Sequence, residues 1–399
     1  MHLHYDVVIV GGGMTGASLA LALSYQTQGK IKVAVLEKQI PHQHHHGGFD
    51  ARCIALSSGS CRRFNQILLP NKQSLWQLLT PLCEPIKHIH VSDRGHFGIA
   101  EFSAKEFCLA ALGAVIELNQ AGAVMMRAMQ DCSNIDYFSP VSISSLERNV
   151  EQVNIQLEDH RTLSTHLLVG ADGTQSNVAS AVGITQELVR EYQQTAIISN
   201  ILVQQAHQNR AFERFTEEGP IALLPMKDNL MSLVWCVKNS QEIINLDDQQ
   251  FLNRLQQRFG WRVGKLKECG KRFAYPLNLY KAAQHIQDRV ALVGNACQTL
   301  HPVAGQGFNL GIRDVMSLAN VVSQAYLQQQ DWGKYQVLQN YAKQRNPDQR
   351  NIIGLTDGLV SIFANNLLPL QIGRNLGLMA FAQSSLLRQY FAKATLGWC

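Results

Sequence analysis

Residues 5 to 23 read YDVVIVGGGMTGASLALAL. The first six, Tyr5 to Val10, form an apolar run suited to a buried parallel strand, and Gly11-x-Gly13-x-x-Gly16 then opens a helix of small residues from Ala17 to Leu23. In this arrangement the first glycine permits the turn, the second lets a pyrophosphate reach the backbone, and the third allows close helix–strand packing. The first N–H groups of the helix, at its positive dipole end, face the phosphates. A second strand, Lys32 to Glu37, ends in a carboxylate 21 positions after Gly16, close to the spacing at which an acid accepts hydrogen bonds from an adenosine ribose. Strand, turn, helix and acid in that order predict a Rossmann-like α/β domain that binds a dinucleotide. Glu37 repels a 2′-phosphate, which leaves NAD or FAD.

Working outward, a second glycine-punctuated stretch runs from Arg289 to Asp314 as RVALVGNACQTLHPVAGQGFNLGIRD. It too passes from buried strand to loop to helix. Gly294-Asn295 and then Gly305, Gly307 and Gly311 let backbone come close to something flat and large, because no Cβ intervenes. A cofactor ring is the expected occupant. The helix that follows, Leu310 to about Leu327, points its positive end at that ring. His301 and Gln306 are candidates for lining the site, or equally for satisfying the loop backbone. Between the two glycine stretches, the buried strand from Leu167 ends in an Asp172-Gly173 turn, with Ser176 and Asn177 as caps of a following helix.

At 399 residues, 46% hydrophobic and 16% charged, the chain suits two domains or one large α/β unit with an inserted sheet, and extended disorder is excluded. Its nine cysteines are scattered without a CxxC spacing, which points away from a disulfide framework, a zinc site or a redox dithiol and toward a reducing, cytoplasmic setting. The chain enters a strand within five residues, so no signal peptide is expected, and no apolar run reaches the ~18 residues of a spanning helix. The expectation is a cytoplasmic protein, soluble or peripheral on the membrane face. From Asp331 onward seven basic residues stand against three acidic ones, and this segment carries most of the net charge of +5. It is also apolar, as at Leu367 to Leu370, Leu376 to Phe381 and Leu386-Leu387. Such a tail lies on anionic lipid, docks on a partner in a complex, or packs on the main body. No basic stripe interleaved with aromatics is present, so nucleic acid is not an expected partner. His42, His44, His45 and His46 sit in a loop before Gly47 with nothing to fix their geometry; a solvated loop is expected there, and no metal.

Alternating patterns at Ala196 to Leu202, Arg210 to Phe215, Ile221 to Leu224 and Met231 to Val237 predict an inserted antiparallel β-sheet, with Ser92 to Gly95 marking a hairpin at its edge. The cofactor domain is then discontinuous, comprising residues 1–75, 105–185 and 280–345. Residues 76–104 and 186–279 form the substrate-binding sheet domain, and 346–399 a helical C-terminal tail.

The order of these motifs, GxGxxG at 11–16, Asp172-Gly173, and Gly294-Asn295 leading to His301-Pro302-x-x-Gly305-Gln306-Gly307-x-Asn309, resembles that of the single-component FAD aromatic hydroxylases, the p-hydroxybenzoate hydroxylase-like group. Within it the chain is most similar to the ubiquinone-biosynthesis hydroxylases. Residues 48–56 (GFDARCIAL), 91–95 (VSDRG), 211–215 (AFERF), 232–235 (SLVW) and 395–398 (TLGW) carry that likeness nearly end to end. The resemblance implies FAD as cofactor and NAD(P)H as co-substrate. With no second GxGxxG, NAD(P)H binds transiently. It implies that Gly11, Gly13 and Gly16 serve the pyrophosphate, that Glu37 holds the ribose, and that Arg52 lies near the pyrophosphate. Asp172-Gly173 would bridge cofactor and nicotinamide nucleotide, Gly294-Asn295 would bind the ribityl and phosphate portion, and Pro302, Gly305, Gly307 and Asn309 would belong to the flavin-binding loop. The wider group has Gly-Asp where this chain has Asn295, which removes a negative charge beside the diphosphate. The implied reaction is hydroxylation of a polyprenylated methoxyphenol in ubiquinone biosynthesis through a flavin C4a-hydroperoxide. No residue stands out as catalytic base. Another FAD oxidase or reductase, or a non-catalytic flavin subunit of a membrane-associated complex, is the competing expectation.

Overall fold

The computed structural model describes residues 2–39, 52–95, 98–363 and 383–397. The His42–His46 cluster, residues 48–51, the apolar stretches 367–370 and 376–381, and Trp398 lie outside the described residues.

Two adjacent parallel strands, His2–Val10 and Thr162–Gly170, stand at the centre of the first sheet. Val33–Leu36 and then Ile135–Phe138 extend it on one side, and Val290–Leu292 on the other, all in parallel. Val7, Val8 and Ile9 are all fully buried, without alternation, because the sheet is covered on both faces. The helix Met14–Gln26 is buried from Gly16 through Ser24, sandwiched against the helices Gln306–Leu327 and Leu118–Gln130. This burial explains its alanine, serine and glycine content. The chain builds outward on one side of His2–Val10 and then returns to the other, so a topological switch point falls between Gly11 and Ala171. Ligands of such sheets bind in the crevice at the carboxyl ends of those strands.

The second sheet takes eight strands from residues 88–103 and 186–282. Arg210–Phe215, Pro220–Pro225 and Leu230–Val237 form an antiparallel meander that joins the long strand Gln186–Val203. The hairpin predicted at Ser92–Gly95 is the turn between His88–Asp93 and Ile99–Ser103. That hairpin attaches by a parallel pairing of His88–Asp93 with Arg210–Phe215, a departure from a purely antiparallel sheet. Period two divides the faces. Ile197, Leu223 and Trp235 pack with Phe251 of the helix Asp248–Phe259, while Ile198, Ala222, Leu224 and Val234 face a cavity. A three-stranded sheet of Cys53–Ser57, Glu84–Ile86 and Gly113–Glu117, not anticipated from the sequence, also borders that cavity. The fold is thus a Rossmann-like α/β domain with an inserted β-sheet and C-terminal helices, Tyr335–Phe363 and Ser385–Leu396.

Candidate cofactor and substrate site

The three glycines of the first turn meet different surroundings. A Cβ on Gly11 would lie 2.4 Å from the carbonyl oxygen of Ala171, and one on Gly16 would lie 1.9 Å from that of Gly11. Both positions are close backbone approaches at the switch point. Gly13 has nothing within 4 Å of that position, and as N-cap of Met14–Gln26 it supplies no capping side chain. The first turn of that helix also holds no acidic residue. Its N–H groups therefore face open space, the arrangement an anion needs. Glu37 closes the turn from the next strand, accepting the Gly12 N–H at 2.8 Å.

Across the switch point, Asp172 Oδ2 accepts the N–H of Val178 at 3.1 Å, while Oδ1 is buried without a partner. Gly173 has φ of 82° with open space beside it. Gly294 turns with φ of 62° against Thr15, and the exposed Asn295 next to it lines the cavity. Gly305 is the left-handed N-cap of Gln306–Leu327, again without a capping side chain or an acid in the first turn. A second uncapped helix terminus thus opens on the same cavity, bordered by Pro302, Gly305, Gln306 and Gly307. Two helix N-termini, an unpartnered carboxylate oxygen and glycine-lined backbone along one crevice fit a dinucleotide that carries a flat ring. The residues present fit FAD.

Four further sequence-predicted residues have protein partners in the structure. The amide of Asn309 is saturated by protein. It accepts from Ser57 N–H at 2.8 Å and Ser60 Oγ at 2.7 Å, and donates to the carbonyls of Ala55 at 2.9 Å and Gly305 at 2.6 Å. It clips the glycine loop to the Cys53–Ser57 strand. His301 is not among the lining residues. Its Nε2 lies 3.1 Å from Gln194 Oε1, Val303 N–H reaches its Nδ1, and Tyr192 meets its ring edge-on. Burial, helped by the charge of Arg190 and opposed by Asp357, pushes its pKa down to about 4. Gln306 lines the cavity and donates to the Thr395 carbonyl at 3.1 Å. Arg52 is exposed and donates to Tyr275 Oη at 3.1 Å.

The cavity measures about 1080 Å³. Small-molecule sites reach about 1,000 Å³, so there is room for a ring system and a substrate together. Away from the glycine loops its wall is apolar, with Ile89, Val91, Phe102, Leu224 and Phe215 among the contributors. Among the described lining residues Glu213 is the one side chain of Asp, Glu, Lys, Arg or His type. Phe215, on the same face of the strand, packs against Val303 of the glycine loop, so Glu213 stands one pleat away from that loop. Cys53 also lines the cavity, but burial pushes its thiol up to about 12, which removes it as a nucleophile at neutral pH.

Sequence reasoning missed two further parts. The helix Ser385–Leu396 closes the cavity with Phe391, Ala392, Thr395 and Leu396, and Phe391 stacks on Phe102. Asp314, fully buried, accepts the Gly294 N–H and holds Arg345 Nε at 2.7 Å. Burial alone would lower the pKa of Arg345, but Asp314 and Asp348 outweigh it and keep the guanidinium above its ordinary range. Asp348 also pairs with Arg313, which donates to the Ala394 carbonyl at 2.8 Å, so one polar network joins the Gly294 turn to the last helix. An adjacent Arg313-Asp314 pair inside a mostly buried helix was the local signal.

A family model described as an FAD binding domain matches residues 101–355, and one described as an FAD dependent oxidoreductase matches residues 6–124. Ubiquinone hydroxylase UbiL of Rhodospirillum rubrum is 33% identical over 399 residues, spanning 98% of this chain and 89% of that protein. The 3-demethoxyubiquinol 3-hydroxylase of Escherichia coli is 30% identical and aligns over 98% of both. Among solved structures, p-nitrophenol 4-monooxygenase from Pseudomonas putida superposes with a TM-score of 0.80 at 15% identity, covering 99% of each chain. P. aeruginosa PqsL in complex with 2-aminobenzoylacetate gives a TM-score of 0.76 at 21% identity, covering 94% of this chain and 100% of that one. Those two likenesses concern the fold alone. Identity of about a third across nearly the whole of both chains, on a fold that carries this cofactor crevice, makes the protein a member of the FAD-dependent ubiquinone-hydroxylase family.

Proposed function

We propose that the protein is an NAD(P)H-dependent FAD monooxygenase that hydroxylates a polyprenylated methoxyphenol in ubiquinone biosynthesis, with 2-octaprenyl-6-methoxyphenol hydroxylase as the specific activity. The observation that carries this reading is the single cavity shared by the glycine loops and the apolar face of the second sheet. FAD, when bound, supplies two-electron transfer from NAD(P)H and activation of dioxygen. The uncapped N-terminus of Gln306–Leu327 would offer its positive dipole end to a flavin held beside the glycine loop, favouring the ring's reduced, negatively charged form. Asn309 fixes the loop that presents it. Glu213 accepts the phenol proton, which raises electron density on the ring carbons to be hydroxylated. Phe102, Phe391 and Leu396 exclude water and leave an apolar path for the prenyl chain.

The last helix supports a peripheral membrane location on the cytoplasmic face. Its inner face closes the cavity, while Leu386, Leu387 and Tyr390 are 79%, 53% and 78% exposed. No helix among the described residues is long and apolar enough to cross a membrane.

The test is to supply FAD-loaded protein with NADH or NADPH and a short-prenyl methoxyphenol, and to identify the product by mass spectrometry. A product heavier by one oxygen is expected. NAD(P)H consumption that yields no oxygenated product would make the protein an oxidase or reductase. Bound FAD without substrate-stimulated NAD(P)H oxidation would make it a non-catalytic flavin subunit.

A further inference from the structure

Away from the cofactor crevice, in the amino-terminal halves of the central strands and at their midpoints, three side chains of metal-binding type converge. Residues two apart on a strand share a face, which places His4 and Asp6 together on His2–Val10. On the parallel neighbour, Tyr5 pairs with Thr165 and Val7 with Leu167, which brings His166 beside Asp6. One ligand atom from each of His4, Asp6 and His166 lies within 4.8 Å of the other two. The rings of His4 and His166 meet edge-to-face with centroids 5.0 Å apart.

The surroundings orient this group. Ser164 Oγ lies 2.9 Å from His4 Nδ1, which leaves Nε2 for an ion, and Asp6 Oδ2 accepts the Lys32 N–H at 2.8 Å, which leaves Oδ1. Trp332 meets the His166 ring edge-on at 5.6 Å, and its indole N–H reaches the Asp6 carbonyl at 3.4 Å. Such outer partners are what hold an imidazole in one tautomer and direction for a metal. His4 is exposed, so an ion reaches the group from solvent.

We propose that His4, Asp6 and His166 form a binding site for a divalent transition ion of the zinc or copper class, with water completing the coordination. Two imidazoles and one carboxylate are a borderline donor set, suited to Zn²⁺ and Cu²⁺ rather than Mg²⁺ or Ca²⁺. The ion cross-links the two central strands of the first sheet near their midpoints, on the amino-terminal side. It takes no part in flavin chemistry, since the cofactor crevice opens at their carboxyl ends. Binding to the folded chain raises its stability by mass action.

The test uses the FAD-loaded full chain with His42, His44, His45 and His46 changed to Gln, so that the imidazoles of that loop do not compete. Titration with Zn²⁺ by calorimetry should show one ion per chain, and Cu²⁺ should give an electron paramagnetic resonance spectrum with coupling to two nitrogens. His4→Gln with His166→Gln should weaken binding by at least about 100-fold, the upper end of what loss of a mere outer-shell partner costs. The flavin absorption spectrum should be unchanged. Binding that survives the double substitution, a Cu²⁺ spectrum without two-nitrogen coupling, or saturation only at millimolar Zn²⁺ overturns the proposal.

Discussion

Asp314, with no exposed surface, accepts the backbone N–H of Gly294 at 3.2 Å, tying the interior of the Gln306–Leu327 helix to the turn that presents Asn295 to the cavity. The same carboxylate holds Arg345 and Gln349 through its other oxygen. The glycine turn therefore owes its position to a buried ion pair from a later helix.

Asp314→Ala should destabilise the FAD-free protein by about 3 kcal/mol, because it leaves Arg345 short of a buried counter-charge. It should also weaken FAD binding by at least about tenfold, as the Gly294 turn loosens. Asp314→Asn, which keeps an acceptor but loses the charge, should fall between. Denaturant titration and a fluorescence Kd for FAD measure the two effects, and wild-type values in both would remove Asp314 from this role.

The glycines at 13 and 16 should separate cofactor binding from folding. At Gly16 an added methyl meets the Gly11 carbonyl, and Gly16→Ala should destabilise the fold by about 1–3 kcal/mol. At Gly13 the φ of −63° suits alanine and the space is open, so Gly13→Ala should leave stability within about 0.5 kcal/mol yet obstruct the pyrophosphate. A tenfold or larger loss of FAD affinity in Gly13→Ala alone is the expected result. Unchanged affinity would mean the phosphates bind elsewhere.

If Glu213 takes the phenol proton, Glu213→Gln should lower hydroxylated product formation by about 100-fold or more. NAD(P)H oxidation should continue, with hydrogen peroxide replacing the hydroxylated product. Parallel assays of peroxide and product decide the matter, and product formation at the wild-type rate would exclude the role.

His301 gives the fold a pH dependence. Its pKa is lowered from an ordinary 6.5 to about 4 by burial, so the unfolded chain binds a proton that the folded chain refuses between those values. The stabilisation is complete above about pH 6.5 and is lost as pH falls toward 4, amounting to about 3 kcal/mol. Denaturant midpoints at pH 5 and 7 should differ by more in the wild type than in His301→Gln. Equal pH dependence in both proteins would place the titration on other groups.

The outer face of the last helix can be changed without touching its inner face. Replacing Leu386, Leu387 and Tyr390 with Ser should leave stability within about 1 kcal/mol, since all three are exposed. Co-flotation with anionic vesicles should fall several-fold if this face meets lipid. Undiminished flotation would locate the membrane contact elsewhere or remove it.

Much of the framework was legible because its signals are local. Glycine spacing reports on backbone approach within a single turn, so the strand at His2–Val10, the helix after it and the acid at Glu37 could all be read in one pass. Alternation of period two likewise marked the strands from Ala196 to Val237. The parallel attachment of His88–Asp93 left no such trace, since a pairing partner more than 100 positions away imposes no pattern on the strand itself. His301 and Asn309 were legible as members of a motif, but not as a buried loop support and a clip onto Ser57.

The amino-acid order alone made the dinucleotide fold, the cofactor-binding turns and the existence of a second sheet legible, because glycine spacing and alternation are imprinted on short stretches of chain. Tertiary structure alone decided that Glu213 stands in the cavity wall, that Asp314 with Arg345 anchors Gly294, and that Ser385–Leu396 closes the site. Those relations join residues tens to hundreds of positions apart, and only the packing of whole elements brings them within bonding distance.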